Sequence, residues 1–167
     1  MISLKNILVP TDFSENSFPA FEFAHYLSKQ CTAVLHVLHV YEPVASKKYN
    51  NNHFVEQRFE DSRFLNAEEE LRRFINRISP QGVEIVEAMT PGKPYEQILN
   101  YSRNNEIDLV IISSHGWTGL SHLITGNVAN KVLRYSQVPT ICIKSGKLAL
   151  HKDIPEASGS FAENWVG

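Results

Sequence analysis

The sequence predicts an α/β protein: one open, twisted, five-stranded parallel sheet with helices on both faces. Two observations and one rule predict it. Short β-rich apolar segments alternate with longer segments of helical period from the amino terminus to about residue 144. The second of the short segments, Ala33-Val34-Leu35-His36-Val37-Leu38-His39-Val40-Tyr41, is apolar nearly throughout, as a central strand covered on both faces requires. Right-handed βαβ crossovers between parallel strands then close most economically as a single sheet.

The first strand is Asn6-Ile7-Leu8-Val9, followed by a helix over about 15–29. In that helix Phe18, Phe21, Ala24 and Leu27 recur at spacings of three and make one apolar stripe, with Ser14 placed to cap it. The second strand covers 33–41. A polar stretch through Asn50-Asn51-Asn52 leads into a charged helix over about 54–78, whose buried face is expected to be Phe64, Leu71, Phe74, Ile75 and Ile78. A third strand over 83–88 stops at Thr90-Pro91-Gly92-Lys93-Pro94. The next helix turns Tyr95, Ile98, Leu99 and Ser102 inward. The fourth strand, Asp108-Leu109-Val110-Ile111-Ile112, runs into a Gly/Ser/Thr/His loop, a helix over about 126–135 and the last strand, 140–144.

A chain of 167 residues suits one domain, expected over 1–144. Residues 145–167 have no sustained period and read as a tail. Its apolar anchors Leu148, Leu150, Phe161 and Trp165 are expected to dock on the domain or on a partner subunit. A net charge of −2 gives no general basic field, so neither nucleic acid nor a membrane surface is favoured as a partner. The first residues lack the pattern of a signal peptide and no apolar run is long enough to span a bilayer, so a cytoplasmic location is expected. Cys31 and Cys142 lie in or beside apolar segments without CxxC spacing and are expected to be buried free thiols.

Two clusters fall at strand carboxyl ends, where open α/β sheets bind ligands. The first is Pro10-Thr11-Asp12-Phe13-Ser14. Asp12 offers an acceptor to an amino or hydroxyl group, and the backbone at Pro10 and Thr11 can lie against a flat ring; the plainer alternative is that Thr11, Asp12 and Ser14 only turn the chain and cap the helix. The second is Ser113-Ser114-His115-Gly116-Trp117-Thr118-Gly119, continuing through Thr125-Gly126-Asn127-Val128. Glycines allow close approach of backbone to phosphate, and the N–H groups of a helix beginning at Gly126, Asn127 and Val128 supply donors and the positive end of the dipole. Tight turns and a helix cap are the alternative there.

His36 and His39, three apart on a strand, face opposite sides and cannot share an ion. His115 and His122 lack a Cys or carboxylate partner at ligand spacing, so no metal site is expected. No G-x-G-x-x-G follows the first strand and no G-x4-G-K-[ST] occurs, which disfavours dinucleotide and P-loop enzymes. No paired catalytic carboxylates or nucleophile–base pair is evident.

The spacing Ser113-x2-Gly116-x9-Gly126-Asn127 resembles the G-x2-G-x9-G-[ST] nucleotide motif of the universal stress proteins. The opening Ile7-Leu8-Val9-Pro10-Thr11-Asp12, the His39-Val40 pair and the closing Val138-Pro139-Thr140 resemble that family too, so the likeness runs over about 2–144. It implies a Rossmann-like fold of the adenine nucleotide alpha hydrolase type and a dimeric stress-response regulator binding ATP or AMP, with Mg2+ held through the phosphates. Residues matching Pro10, Thr11, Asp12 and Val40 would hold adenine and ribose. Those matching Ile112, Ser113, Ser114, His115 and Gly116, and Gly126, Asn127, Val128 and Ala129, would hold phosphate. The chain departs from the motif at Ser113, where a Cβ replaces a glycine and is expected to crowd the phosphate or restrict the turn, and at Asn127, where a hydroxyl residue is usual. Trp117 stands where the family often has a basic residue. A nucleotide-free dimeric adaptor and a weak ATP hydrolase are the alternative functions. The homodimer would pair the last strand, otherwise an unpaired apolar edge, across a two-fold axis.

Overall fold

The computed structural model describes residues 3–41, 53–78, 82–114 and 128–144, with the side chains of 53–63 outside the description. The tail expected over 145–167 and the loop over 115–127 lie outside it.

Nine elements alternate along the described chain: β1 (Asn6–Thr11), α1 (Phe18–Cys31), β2 (Val34–Tyr41), α2 (His53–Ile75), β3 (Ile85–Pro91), α3 (Pro94–Asn104), β4 (Leu109–Ser113), α4 (Val128–Tyr135) and β5 (Thr140–Ile143). The strands form one parallel sheet in the order β3-β2-β1-β4-β5. The fold is the expected one. From β1 the chain steps outward through β2 to β3, then returns to the other side of β1 for β4 and β5, so the order reverses between β1 and β4.

Strand periodicity sends alternate residues to two cores. Ile7, Val9, Leu35, Val37, Leu109 and Ile111 pack with Phe21 and Ala24 of α1 and with Leu71, Phe74 and Ile75 of α2. Leu8, Leu38, Val110 and Ile112 pack with Ile98 and Leu99 of α3 and with Ala129 and Val132 of α4. Burial of large side chains on both faces is what made these strands read as continuous apolar runs.

Several expectations shift. Helix α1 starts at Phe18, later than expected, with Ser17 at the N-cap and Pro19 in the first turn, where its missing N–H costs nothing. Ser14 is therefore not the cap; it belongs to the preceding turn. Strand β3 starts two residues later than expected, at Ile85, and runs three residues further, to Pro91, because β2 offers a ladder partner as far as Tyr41. Phe64 is 40% exposed and not part of the α2 core face. Both cysteines are free, but both are exposed: Cys31 ends α1 and Cys142 lies on the edge strand β5. Apolar neighbours in sequence do not bury a side chain when no helix or strand covers its side of the element.

Among the described residues no helix is long and apolar enough to cross a membrane.

Candidate functional site

At its carboxyl edge the sheet splits between β1 and β4. The β1–β2 ladder continues to Thr11↔His39 and the β4–β5 ladder to Ser113↔Ile143, whereas the β1–β4 ladder stops at Leu8↔Val110. Pro10 supplies a cause. The Asn6 carbonyl accepts the Asp108 N–H from the β4 side, and by the two-residue strand period Leu8 and Pro10 turn their backbone groups to the same side. With no N–H to donate, Pro10 cannot carry the ladder further, and the two strands part there. The opening lies at the point where the strand order reverses, the usual ligand position in open α/β sheets.

The loop joining β1 to α1 is held by hydroxyl groups. Asp12 Oδ1 accepts from the Ser14 N–H at 3.1 Å and from the Ser14 hydroxyl at 2.6 Å, closing an Asx turn. Thr11 Oγ1 accepts the Phe13 N–H at 3.0 Å. The Ser17 hydroxyl gives its single proton to the Ser14 carbonyl at 2.8 Å, so the Thr11 hydroxyl donates to Ser17 Oγ at 3.0 Å. The turn needs Phe13 in the left-handed region, at φ 63°, which a non-glycine residue adopts only when its surroundings compensate. Its ring is the compensation, stacked on His39 with centroids 4.1 Å apart and tilted against Phe74 at 6.1 Å.

His39 sits beneath this turn. Its Nδ1–H donates to the Thr11 carbonyl at 2.9 Å. Burial pushes the imidazole below its ordinary pKa, opposed by the Thr11 carbonyl and by the Asp12 and Glu70 carboxylates. His36 faces the other way, with Nδ1 2.9 Å from the Tyr101 hydroxyl of α3. The two histidines lie on opposite faces, as the strand period requires.

Parity also divides the residues singled out in the sequence. Pro10, Val40, Ile112 and Ser114 alternate with Leu8, Leu38 and Val110 and so turn to the α3/α4 face. Val40 and Val128 pack against the core that contains Ile112 and Ala129. Thr11 and Ser113 turn to the α1 face, and both are buried. The Ser113 hydroxyl donates to the Asn16 carbonyl at 2.5 Å, so its side chain points away from the face that Val40 and Ile112 line. Ser114 donates its N–H to the Ile143 carbonyl at 2.8 Å, extending the β4–β5 ladder by one residue.

Pro10, Thr11, Asp12, Val40, Ile112, Ser113 and Ser114 thus gather at one sheet edge, with Val128 and Ala129 at the described start of α4. His115, Gly116, Gly126 and Asn127 lie outside the described residues. Residues the sequence did not single out are Asn16, Ser17 and, as a support for the turn, His39. Their roles are a backbone carbonyl, a cap position and the far side of a strand, none of which has a spacing to read; only the run of hydroxyl residues between Thr11 and Ser17 hinted at the network.

Comparison with known proteins places this architecture. A protein of Methanocaldococcus jannaschii, universal stress protein MJ0577, is 26% identical over 157 residues, covering 86% of this chain and 96% of its own. Its solved structure superposes with a TM-score of 0.75 over 87% of this chain and 99% of that one, at 23% identity. An Archaeoglobus fulgidus universal stress protein in complex with dAMP has a TM-score of 0.61 at 20% identity, covering 86% of this chain and all of its own. A universal stress protein in complex with cAMP has a TM-score of 0.66 at 18% identity, covering 87% of this chain and all of its own. The sequence pattern of the universal stress protein family matches residues 3–144, a span that holds all nine elements and the split between β1 and β4. This chain belongs to the universal stress protein family.

Proposed function

We propose that this protein binds an adenine nucleotide, ATP or AMP, at the split between β1 and β4 and acts in the cytoplasm as a homodimeric stress-response regulator. The observation that carries the reading is the split itself: Pro10 ends the β1–β4 ladder beside an apolar floor of Val40 and Ile112, with Asp12 held in a fixed turn at its rim. A flat base suits such a floor, and a carboxylate at the rim suits ribose hydroxyls. The cAMP and dAMP complexes of the two relatives support the ligand class.

In this reading Pro10, Thr11, Asp12 and Val40 take adenine and ribose, Thr11 through its backbone. Residues 112–116 and 126–129 take the phosphates, Ser113 through its backbone alone, with Mg2+ bound through them. Calorimetry tests it. Asp12→Ala is expected to weaken binding by about 1–3 kcal/mol, the range for removing one partner of a buried charged hydrogen bond. Gly126→Val is expected to hurt ATP at least as much as AMP, because a β-branched side chain stands where backbone must meet phosphate. If the wild type binds neither nucleotide, the function is that of a nucleotide-free adaptor, the reading that the departure at Asn127 favours. The dimer is expected to form along β5, an edge strand with Ile141 and Cys142 exposed. A monomer in sedimentation at micromolar concentration would refute that part.

A further inference from the structure

Beyond Leu8↔Val110 no ladder pair joins β1 to β4, yet the two sides of the split are tied. The Ser113 hydroxyl, at the carboxyl end of β4, reaches the Asn16 carbonyl across 97 positions of sequence. Ser113 is 9% exposed, so water competes poorly for the bond. Asn16 lies between Ser14 and Ser17, the residues that grip Asp12 and Thr11. A displacement of β4 is therefore passed through Asn16 to the turn that carries Asp12.

We propose that Ser113 is a positioning residue for the site: its hydroxyl straps the β1–α1 loop to β4 and sets Asp12 against the β4 backbone before any ligand arrives. The effect on binding rests on the nucleotide reading above; the strap itself does not. This inverts the expectation drawn from the family motif. A glycine at 113 would remove the strap and loosen the end of β4, so the ordering of the loop would fall to the ligand and affinity would drop.

Hydrogen exchange of the ligand-free protein and calorimetry with ATP and AMP, on wild type and on Ser113→Ala, Ser113→Gly and Ser113→Thr, test it. In the alanine and glycine variants, exchange in peptides covering 12–18 is expected to rise roughly fivefold, as for loss of one ordinary hydrogen bond, with the β2 peptide 34–38 unchanged. Nucleotide affinity should fall by a similar factor, and Ser113→Thr, which keeps the hydroxyl, should hold both near wild type. Unchanged exchange in Ser113→Ala overturns the strap. Tighter ATP binding by Ser113→Gly, or a Ser113→Thr as impaired as Ser113→Ala, overturns the positioning role. A wild type that binds neither nucleotide overturns the nucleotide reading and the binding effect with it, while faster exchange in Ser113→Ala alone would still support the strap.

Discussion

The two faces of the sheet differ most at its carboxyl edge. On the α1/α2 face, Phe13, Phe18, Phe21 and Phe74 interlock, with ring centroids 5.1–6.1 Å apart, and His39 closes the group from β2. Above them the hydroxyls of Thr11, Ser14, Ser17 and Ser113 are all engaged. On the α3/α4 face the described edge offers aliphatic side chains, Val40, Ile112 and Val128. One face holds a strained turn in place, and the other carries the apolar floor of the proposed nucleotide site. The division follows from parity: successive side chains of a strand end turn to opposite faces, so the loop is anchored on one side and, in the proposed reading, the nucleotide is met on the other.

The largest perturbation of that division should come from Phe74→Ala, which removes the side chain that touches Phe13, Phe18 and Phe21 together. A loss of about 3–5 kcal/mol is expected in denaturant unfolding, the range for truncating a buried aromatic residue. A loss well below that would show that Phe13 and His39 hold the turn without α2. Next, Thr11→Val keeps the shape of a buried residue but leaves the Phe13 N–H without its acceptor and Ser17 without a donor. An effect of about 1–2 kcal/mol is expected; because the Thr11 side chain faces away from the apolar floor, a loss in nucleotide affinity much larger than the loss in stability would place its hydroxyl on the ligand side and break the comparison.

The smallest effect concerns pH and sharpens the same contrast. Burial lowers the pKa of His39 on one face and of His36 on the other, with only partial opposition from nearby carboxylates. The unfolded chain therefore takes up protons at a higher pH than the folded one. Their contribution to stability is complete above the ordinary histidine value near 6.5 and is lost as the pH falls through that value toward the lower folded ones. Melting temperature should drop between pH 7 and pH 5. His39→Asn should flatten part of that slope and speed exchange over 12–18, whereas substitution of His36, which meets Tyr101 and Asn6, should leave the exchange of the turn unchanged.

The sequence by itself determined the order and kind of the elements, the parallel sheet and the family. These properties depend on local pattern: strands buried on both faces must be apolar throughout, helices covering one face must be striped, and Pro10, Thr11 and Asp12 identify a strand end by their chemistry alone. Helix start and burial were less legible. The sequence offered Ser14 as the cap, but Ser14 is held in the Asp12 turn and α1 begins only at Phe18, with Ser17, whose side chain makes no capping bond, at the N-cap position. Cys31 and Cys142 read as buried because their neighbours are apolar, but exposure depends on which elements lie alongside, and β5 is an edge. Only the tertiary structure decided the direction of Ser113. In the motif it stands where a glycine would admit phosphate, yet the side to which a residue at a strand end turns is set by the register of the whole strand, and its partner, Asn16, is a backbone carbonyl 97 positions away. A backbone group carries no residue identity, so no pattern in the sequence could have announced it.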